Sequence, residues 1–424
     1  MRTEDLILVS VDDHAVEPPD LFERWVPQRW RDRAPKSVHK PDGTDVWLFE
    51  GIEKPNIGLN AVVGRQAEEY GIDPSSYSEM RAGCYDIHAR VRDMDANGVL
   101  GSMCFPTVPQ FCGQLFAKSS DKELAYALVQ SYNDWHVDEW CGTYPGRFIP
   151  LAVPPIWDPG LMAAEVRRMA AKGCHAVTFS ENPEKLGWPS FHSGHWDPFW
   201  SACADEGTVV CLHIGSSSTL AVPSSDGPID VTIVLSPINI VEAATDLLFS
   251  PVLRKFPDLR VALSEGGIGW IPYFLERVDY TYTHHHAWTG QDFGDMLPSQ
   301  VFLERMIVCF IDDAFGLESR HHLNIDNVTW ECDYPHSDCT WPTSPEMLHK
   351  TMAGFSDDEV AKVTHLNAMK HFRYDPFSRL RPSECTVGAL RARATDVDIR
   401  PHSIGRRANT MTTSADLGAL RTNV

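Results

Sequence analysis

The chain has no C-x-x-C pair, no glycine-rich phosphate loop after an early strand and no apolar run of membrane-spanning length, and its basic residues are few. Each absence closes off a class of protein. The 11 cysteines among 424 residues are scattered singly, which argues against a disulfide framework and against a structural zinc knot. Most sit in apolar strand-like text such as Ile307-Val308-Cys309-Phe310 or Val209-Val210-Cys211-Leu212-His213, where they read as small core residues. The opening Met1-Arg2-Thr3-Glu4-Asp5 lacks the shape of a secretory leader, so the expected location is cytoplasmic, with no membrane partner. With 37 basic against 58 acidic residues the net charge is −21. That balance disfavours nucleic acid or an anionic membrane as a partner. A small anionic substrate remains compatible, because a bound cation reverses the local field.

What is present points to an α/β protein. Hydrophobic residues make up 43% and charged residues 22%, the balance of a water-exposed globular domain. Short apolar runs at 6–12, 99–105, 147–153, 174–180, 208–214, 259–265, 305–311 and 327–333 alternate with amphipathic stretches. Near-continuous apolar strands suit a parallel sheet covered on both faces. Ser119-Ser120-Asp121 and Ser356-Asp357-Asp358-Glu359 supply helix-capping signals. Eight strands in βα alternation predict a (β/α)8 TIM-type barrel over residues 1–378. A doubly wound open sheet would need the phosphate loop that is missing. A long insertion after the first strand, about 18–86, reads as an irregular flap or subunit contact. The tail 379–424 holds eight Arg against four acids and no aromatic residue. It is expected to be disordered or to wrap an acidic partner subunit.

Chemistry-bearing residues collect at the strand ends. Asp12 and His14, two apart at the end of the first strand, point to one face. The fifth strand ends at His213, the sixth at Glu265 and the eighth at Asp333, followed by His336. A single strand-end histidine is more often a satisfied structural group than a ligand. Four of eight strands ending in Asp, His or Glu, at the mouth where barrel enzymes build their sites, is the pattern of a metal centre. Mixed imidazole and carboxylate donors suit zinc, iron or manganese. Glu17 reads either as a group orienting His14 or as a cap before Pro18-Pro19. His336 is a ligand, a supporting group or a substrate contact, and Trp270 is a candidate pocket wall.

In order, Asp12-x-His14, Met94-Asp95-Ala96-Asn97-Gly98, Phe105-Pro106-Thr107, Tyr132-Asn133-Asp134-Trp135, His213, Asp333-Tyr334-Pro335-His336 and Asn367-Ala368 resemble the amidohydrolase superfamily. The likeness is to its amidohydrolase-related branch, which includes aminocarboxymuconate semialdehyde decarboxylase and the resorcylate-type decarboxylases, and it covers residues 6–374. The resemblance implies Asp12, His14, His213 and Asp333 as metal ligands. It also makes Asp333 a group for proton transfer, and His213 and Glu265 are the further catalytic candidates. Two departures stand out. Relatives commonly carry His-x-His on the first strand, and the decarboxylases a Gly-His pair where this chain has Glu265-Gly266-Gly267.

The run His284-His285-His286 is either a helix end whose imidazoles suit the dipole or a source of further ligands. With Glu265, His285 or His286 would complete a second ion. One zinc or manganese ion implies Lewis-acid hydrolysis or nonoxidative decarboxylation of a small, carboxylic substrate. An Fe/Fe or Fe/Mn pair implies an oxygen-activating monooxygenase instead. A third reading is a low-activity structural subunit of a hetero-complex. A homo- or hetero-oligomer is expected by analogy with the family.

Overall fold

Strands whose residues are apolar on both faces must be covered on both faces. Eight of the chain's strands are buried along their whole length. The computed structural model describes residues 1–55, 57–71, 75–405 and 413. Its strands are β1 (Val9–His14), β2 (Lys36–His39), β3 (Asp45–Phe49), β4 (Ile52–Lys54), β5 (Gly101–Phe105) and β6 (Phe148–Ile149), then β7 (Ala176–Ser180), β8 (Val209–His213), β9 (Val261–Ser264), β10 (Met306–Phe310) and β11 (Val328–Trp330).

β1, β5 and β6 pair in parallel, as do β7 to β11 in sequence order. Two seams join these halves. A parallel bridge links Ala152 to Val177. On the other side Asp333 N donates to Asp12 O at 2.8 Å and His14 N to Tyr334 O at 2.7 Å. The result is the closed (β/α)8 barrel anticipated from the sequence, with each expected strand present. The second seam is made by the backbone of site residues themselves, so closing the barrel and assembling the site are one event.

The helices start and stop where the local chemistry directs. Asp86 caps Ile87–Asn97 through Ala89 N, and Gly98 ends it in the left-handed region. Asp121 caps Lys122–Trp135 through Leu124 N, and Ser356 with Glu359 forms the expected capping box. In the insertion, β2, β3 and β4 form an antiparallel sheet that the sequence did not announce. Trp47 and Phe49 seal it onto Phe22 and Phe116 at ring distances of 5.6 and 6.0 Å. The insertion reaches the mouth of the barrel, where Val62 N and Val63 N donate to Pro335 O.

Two expectations are corrected. Residues 379–405 are not disordered, because they pack on the barrel they belong to. The short helix Val387–Arg391 buries Val387 and Leu390, and Arg391 pairs with Glu346. His402 N donates to Gly64 O at 2.8 Å. A few well-placed apolar residues outweigh the polar composition of this segment. Residues 406–412 and 414–424 lie outside the described residues. Second, one helical stretch, Ile229–Phe249, is long and apolar enough to cross a membrane, at 21 residues and mean hydropathy 1.5. Its acids are sparse, and it is interrupted at Ser236-Pro237. Its second half buries Ile240, Ala243, Leu247 and Leu248 in the core.

The tail packing is testable at Gly98. There φ is 76° and an added Cβ would lie 2.8 Å from Val387 Cγ1. Gly98→Ala is expected to cost about 1–3 kcal/mol in urea unfolding. Part of that loss should disappear in a Val387→Ala background, as a double-mutant cycle detects.

Candidate metal centre

Six side chains from four strand ends meet at the C-terminal mouth. β1 brings Asp12 and His14, β8 brings His213, the turn after β9 brings Glu265, and the turn after β11 brings Asp333 and His336. All are buried except Glu265, which keeps slight access. β1 carries a bulge between Ser10 and Asp13, which re-aims the residues that follow. Glu265 and Asp333 both take positive φ, 61° each. Non-glycine residues pay for that conformation with about 1–3 kcal/mol, and such strain collects at functional sites.

His14 Nε2 stands 3.6 Å from Asp12 Oδ1, 3.5 Å from Asp333 Oδ1 and 3.1 Å from His213 Nε2. His213 Nε2 stands 3.5 Å from Asp12 Oδ2 and 3.2 Å from Glu265 Oε2. Ligands about 2.1 Å from a shared divalent ion stand about 3.0–3.5 Å from one another. Asp12, His14 and His213 form one group able to hold an ion, and His14, Asp333 and His336 another. Both use His14.

Protonation makes the same point. His213 Nδ1 lies 2.6 Å from Ile214 O, so Nδ1 carries the hydrogen and Nε2 presents a lone pair. Burial, with His336 and His213 nearby, holds His14 well below the ordinary imidazole range. Burial likewise pulls His336 down to about 3. Asp12, Glu265 and Asp333 are pushed well above the usual carboxylate range, first by burial and then by one another and Glu331. Both carboxylate oxygens of Asp12, Asp333 Oδ2 and His336 Nε2 are buried without a hydrogen-bond partner. Buried acceptors left facing one another are costly. A divalent cation satisfies them together, so the donor set fits one.

The other candidates fall into place or fall away. His336 joins the cluster, its Nδ1 2.8 Å from Asp333 Oδ1. Glu17 does not orient His14. It is fully buried and accepts from Thr107 N and Val108 N at 3.0 and 2.9 Å, pinning the loop after β5. Trp270 donates to Gly266 O and Gly267 O at 3.0 and 3.1 Å and packs on Phe274, so it braces the turn bearing Glu265. His285 and His286 lie outside the cluster, on the outer helix Ile271–Thr289. His286 Nδ1 contacts Tyr282 O, and His285 Nδ1 accepts from Trp288 Nε1. Three consecutive imidazoles on a helix point in three different directions, and none of them is part of the cluster at the barrel mouth.

Sequence reasoning missed several residues. Glu331 is buried and accepts from Cys309 Sγ at 2.6 Å and Glu265 N at 3.2 Å. Its spacing two before Asp333 was a usable signal, since alternate strand residues share a face. Phe111 stacks on His213 at 4.7 Å and meets Phe105 at 5.9 Å, giving the centre an aromatic wall. Arg90, fully buried, donates to His14 O and Gly83 O and lies 4.2 Å over the Tyr334 ring. No local motif marked either.

The amidohydrolase family profile matches residues 59–374. The chain belongs to the amidohydrolase family. It is 26% identical over 216 residues to the 2-amino-3-carboxymuconate-6-semialdehyde decarboxylase of Dictyostelium discoideum, covering 49% of this chain and 55% of that relative. The match therefore spans little more than half of that relative's length. It is 24% identical over 331 residues to the gamma-resorcylate decarboxylase of Rhodococcus jostii (strain RHA1), covering 72% of this chain and 93% of that relative. Among solved structures, the 5-carboxyvanillate decarboxylase of Novosphingobium aromaticivorans DSM 12444, complexed with manganese and 4-hydroxy-3-methoxy-5-nitrobenzoic acid, shares the fold. Its TM-score is 0.60 at 18% identity, with 88% of this chain and 99% of that chain covered.

Glu331 gives a pH test on metal-free protein. Burial raises it from 4.5 to about 7. A raised folded value favours the proton-bound native state, so this contribution is full below pH 4.5 and lost as pH rises through 7. Glu331→Gln should leave metal-free stability unchanged near pH 4 and raise it at pH 8 by about 2–3 kcal/mol. Urea unfolding at the two pH values reads the difference.

Proposed function

We propose that the protein is a divalent-metal-dependent nonoxidative decarboxylase of a small carboxylated aromatic acid. The observation that carries this reading is the convergence of Asp12, His14, His213 and Asp333, with Glu265 beside His213, on one buried point at the barrel mouth. The decarboxylase activities named for the relatives support it. Asp12, His14, His213 and Asp333 would hold the ion, with His336 against Asp333. A divalent cation there supplies Lewis acidity and a positive charge to bind and orient the substrate's oxygens. Zinc and manganese both suit a set of two imidazoles and two carboxylates. The manganese named for the Novosphingobium aromaticivorans relative favours manganese.

In the reaction the bond from ring carbon to carboxylate breaks, carbon dioxide leaves, and the ring carbon keeps the electron pair and takes a proton. The chain's task is to deliver that proton and keep bulk water away. Glu265, whose pKa burial and Asp333 push upward, is the carboxyl placed to hand over a proton from an Oε atom. Glu331, accepting from Glu265 N, fixes the backbone that carries it. Phe105 and Phe111 offer an apolar wall to an aromatic ring. Hydrolysis by the same donor set is the second Lewis-acid reading. The paired-iron oxygenase reading drew on His285 and His286. Without them the remaining donor groups share His14, so one ion takes precedence.

The test is turnover by protein reconstituted with manganese or zinc, on a panel of hydroxybenzoates, read as carbon dioxide released and oxygen consumed. One carbon dioxide per product with no oxygen uptake is expected. Oxygen uptake, or ester or amide cleavage without carbon dioxide, would sink the proposal. His213→Ala and Asp333→Ala should lower metal content per chain and cut kcat/KM by about 10³-fold or more, with circular dichroism unchanged. Glu265→Gln should keep the metal and lower kcat by about 10²-fold or more.

A further inference from the structure

The fourth strand of the barrel, β7, runs into an acid that the metal centre does not use. Ser180 pairs with His213 of β8, so Glu181 leaves the sheet just past the level of a candidate ligand. It is 2% exposed. Its carboxylate is held from one side only. Oε1 accepts from Ser217 Oγ at 2.7 Å, from Asn239 Nδ2 at 2.9 Å and from Ser217 N at 3.4 Å. Oε2 is buried and has no hydrogen-bond partner among the described residues, as holds for both oxygens of Asp12. Each carboxylate oxygen offers two lone pairs, and burying one without a donor is costly.

Its neighbours put this carboxylate beside the metal centre. Burial raises the Glu181 carboxyl, while Asn239, Ser217 and then His213 act against that rise. Burial and then the Glu181 charge hold the Cys112 thiol well above its ordinary range. Cys112 follows Phe111, the ring stacked on His213. One hydrogen-bond network joins all three elements. Ser216 Oγ accepts from Glu181 N at 2.8 Å and donates to His213 O at 2.6 Å, and Gln114 Nε2 donates to Ser216 O at 3.1 Å.

We infer that Glu181 determines specificity, its Oε2 accepting a hydrogen bond from a donor substituent, a hydroxyl or an amino group, on the ring of the aromatic acid. The inference rests on the decarboxylase reading, which brings such a ring to this mouth. A ring leaning on Phe111 with its acid group toward His213 lies between residues that both neighbour Glu181. A role in bracing the loop after β8 accounts for Oε1 and leaves Oε2 unexplained. The three donors on Oε1 fix the direction of Oε2, so little freedom is lost when a ligand meets it. A ligand without the donor would leave that oxygen desolvated and unpaired, which is the strongest form of discrimination a polar site has.

The test is the affinity of the manganese-loaded protein for hydroxy-, amino- and methoxybenzoates substituted at each ring position, read by stopped-flow tryptophan fluorescence ahead of any turnover. The wild type should bind the hydroxy or the amino series about 10–100-fold more tightly than the methoxy series. Whichever series binds tighter names the donor. Glu181→Gln keeps the shape and the accepting Oε1 but sets an amide nitrogen where Oε2 stands. It should lose the preference while melting temperature and metal content stay unchanged, a change that a purely bracing role would not produce. A variant that keeps the preference, or a wild type that shows none, would overturn the inference and leave the decarboxylase reading standing. Failure of every benzoate to bind would overturn both.

Discussion

Two imidazole Nε2 atoms face each other 3.1 Å apart at the barrel mouth, with carboxylates on either side. Much else in the structure serves to hold that arrangement. His213 cannot turn away, because its other nitrogen is engaged by Ile214 O. His14 is held from behind, its carbonyl bonded by Arg90 and its amide by Tyr334 O. Asp333 and Glu265 accept a strained backbone to aim inward. Buried carboxylates and imidazoles held so firmly in one place form an array that a divalent cation would satisfy.

The barrel was legible because its evidence is redundant. Each of eight strands declares itself by apolar run and position, and one misread strand would not have changed the architecture. The residues that gather at the candidate site were legible for a related reason, since Asp12, His14, His213, Glu265 and Asp333 each stand where a strand stops. What stayed hidden depends on long-range packing. The sheet of the insertion forms because Trp47 and Phe49 find Phe22 and Phe116, and no periodicity within 36–54 announces that. Arg90 sits mid-helix among other charged residues, and only the folded chain brings it to His14 and Tyr334.

Composition misled where small numbers of residues decide the outcome. The segment after 379 is polar and basic on average, yet Val387 and Leu390 suffice to seat it on the barrel. The histidine run drew attention through its residue type, while the geometry of its helix gave it to the surface. In both places the informative quantity was which face each residue occupies, not how many there are.

Glu17 belongs to the chain just past β1, and its carboxylate grips the loop that places Phe111 over His213. The aromatic wall is thus leashed to the strand that carries two of the candidate ligands, Asp12 and His14. Wall and candidate ion site share a fulcrum. A lineage reshaping the wall through that loop would tug on those two side chains as well, which leaves the other rims of the mouth as the freer places for change.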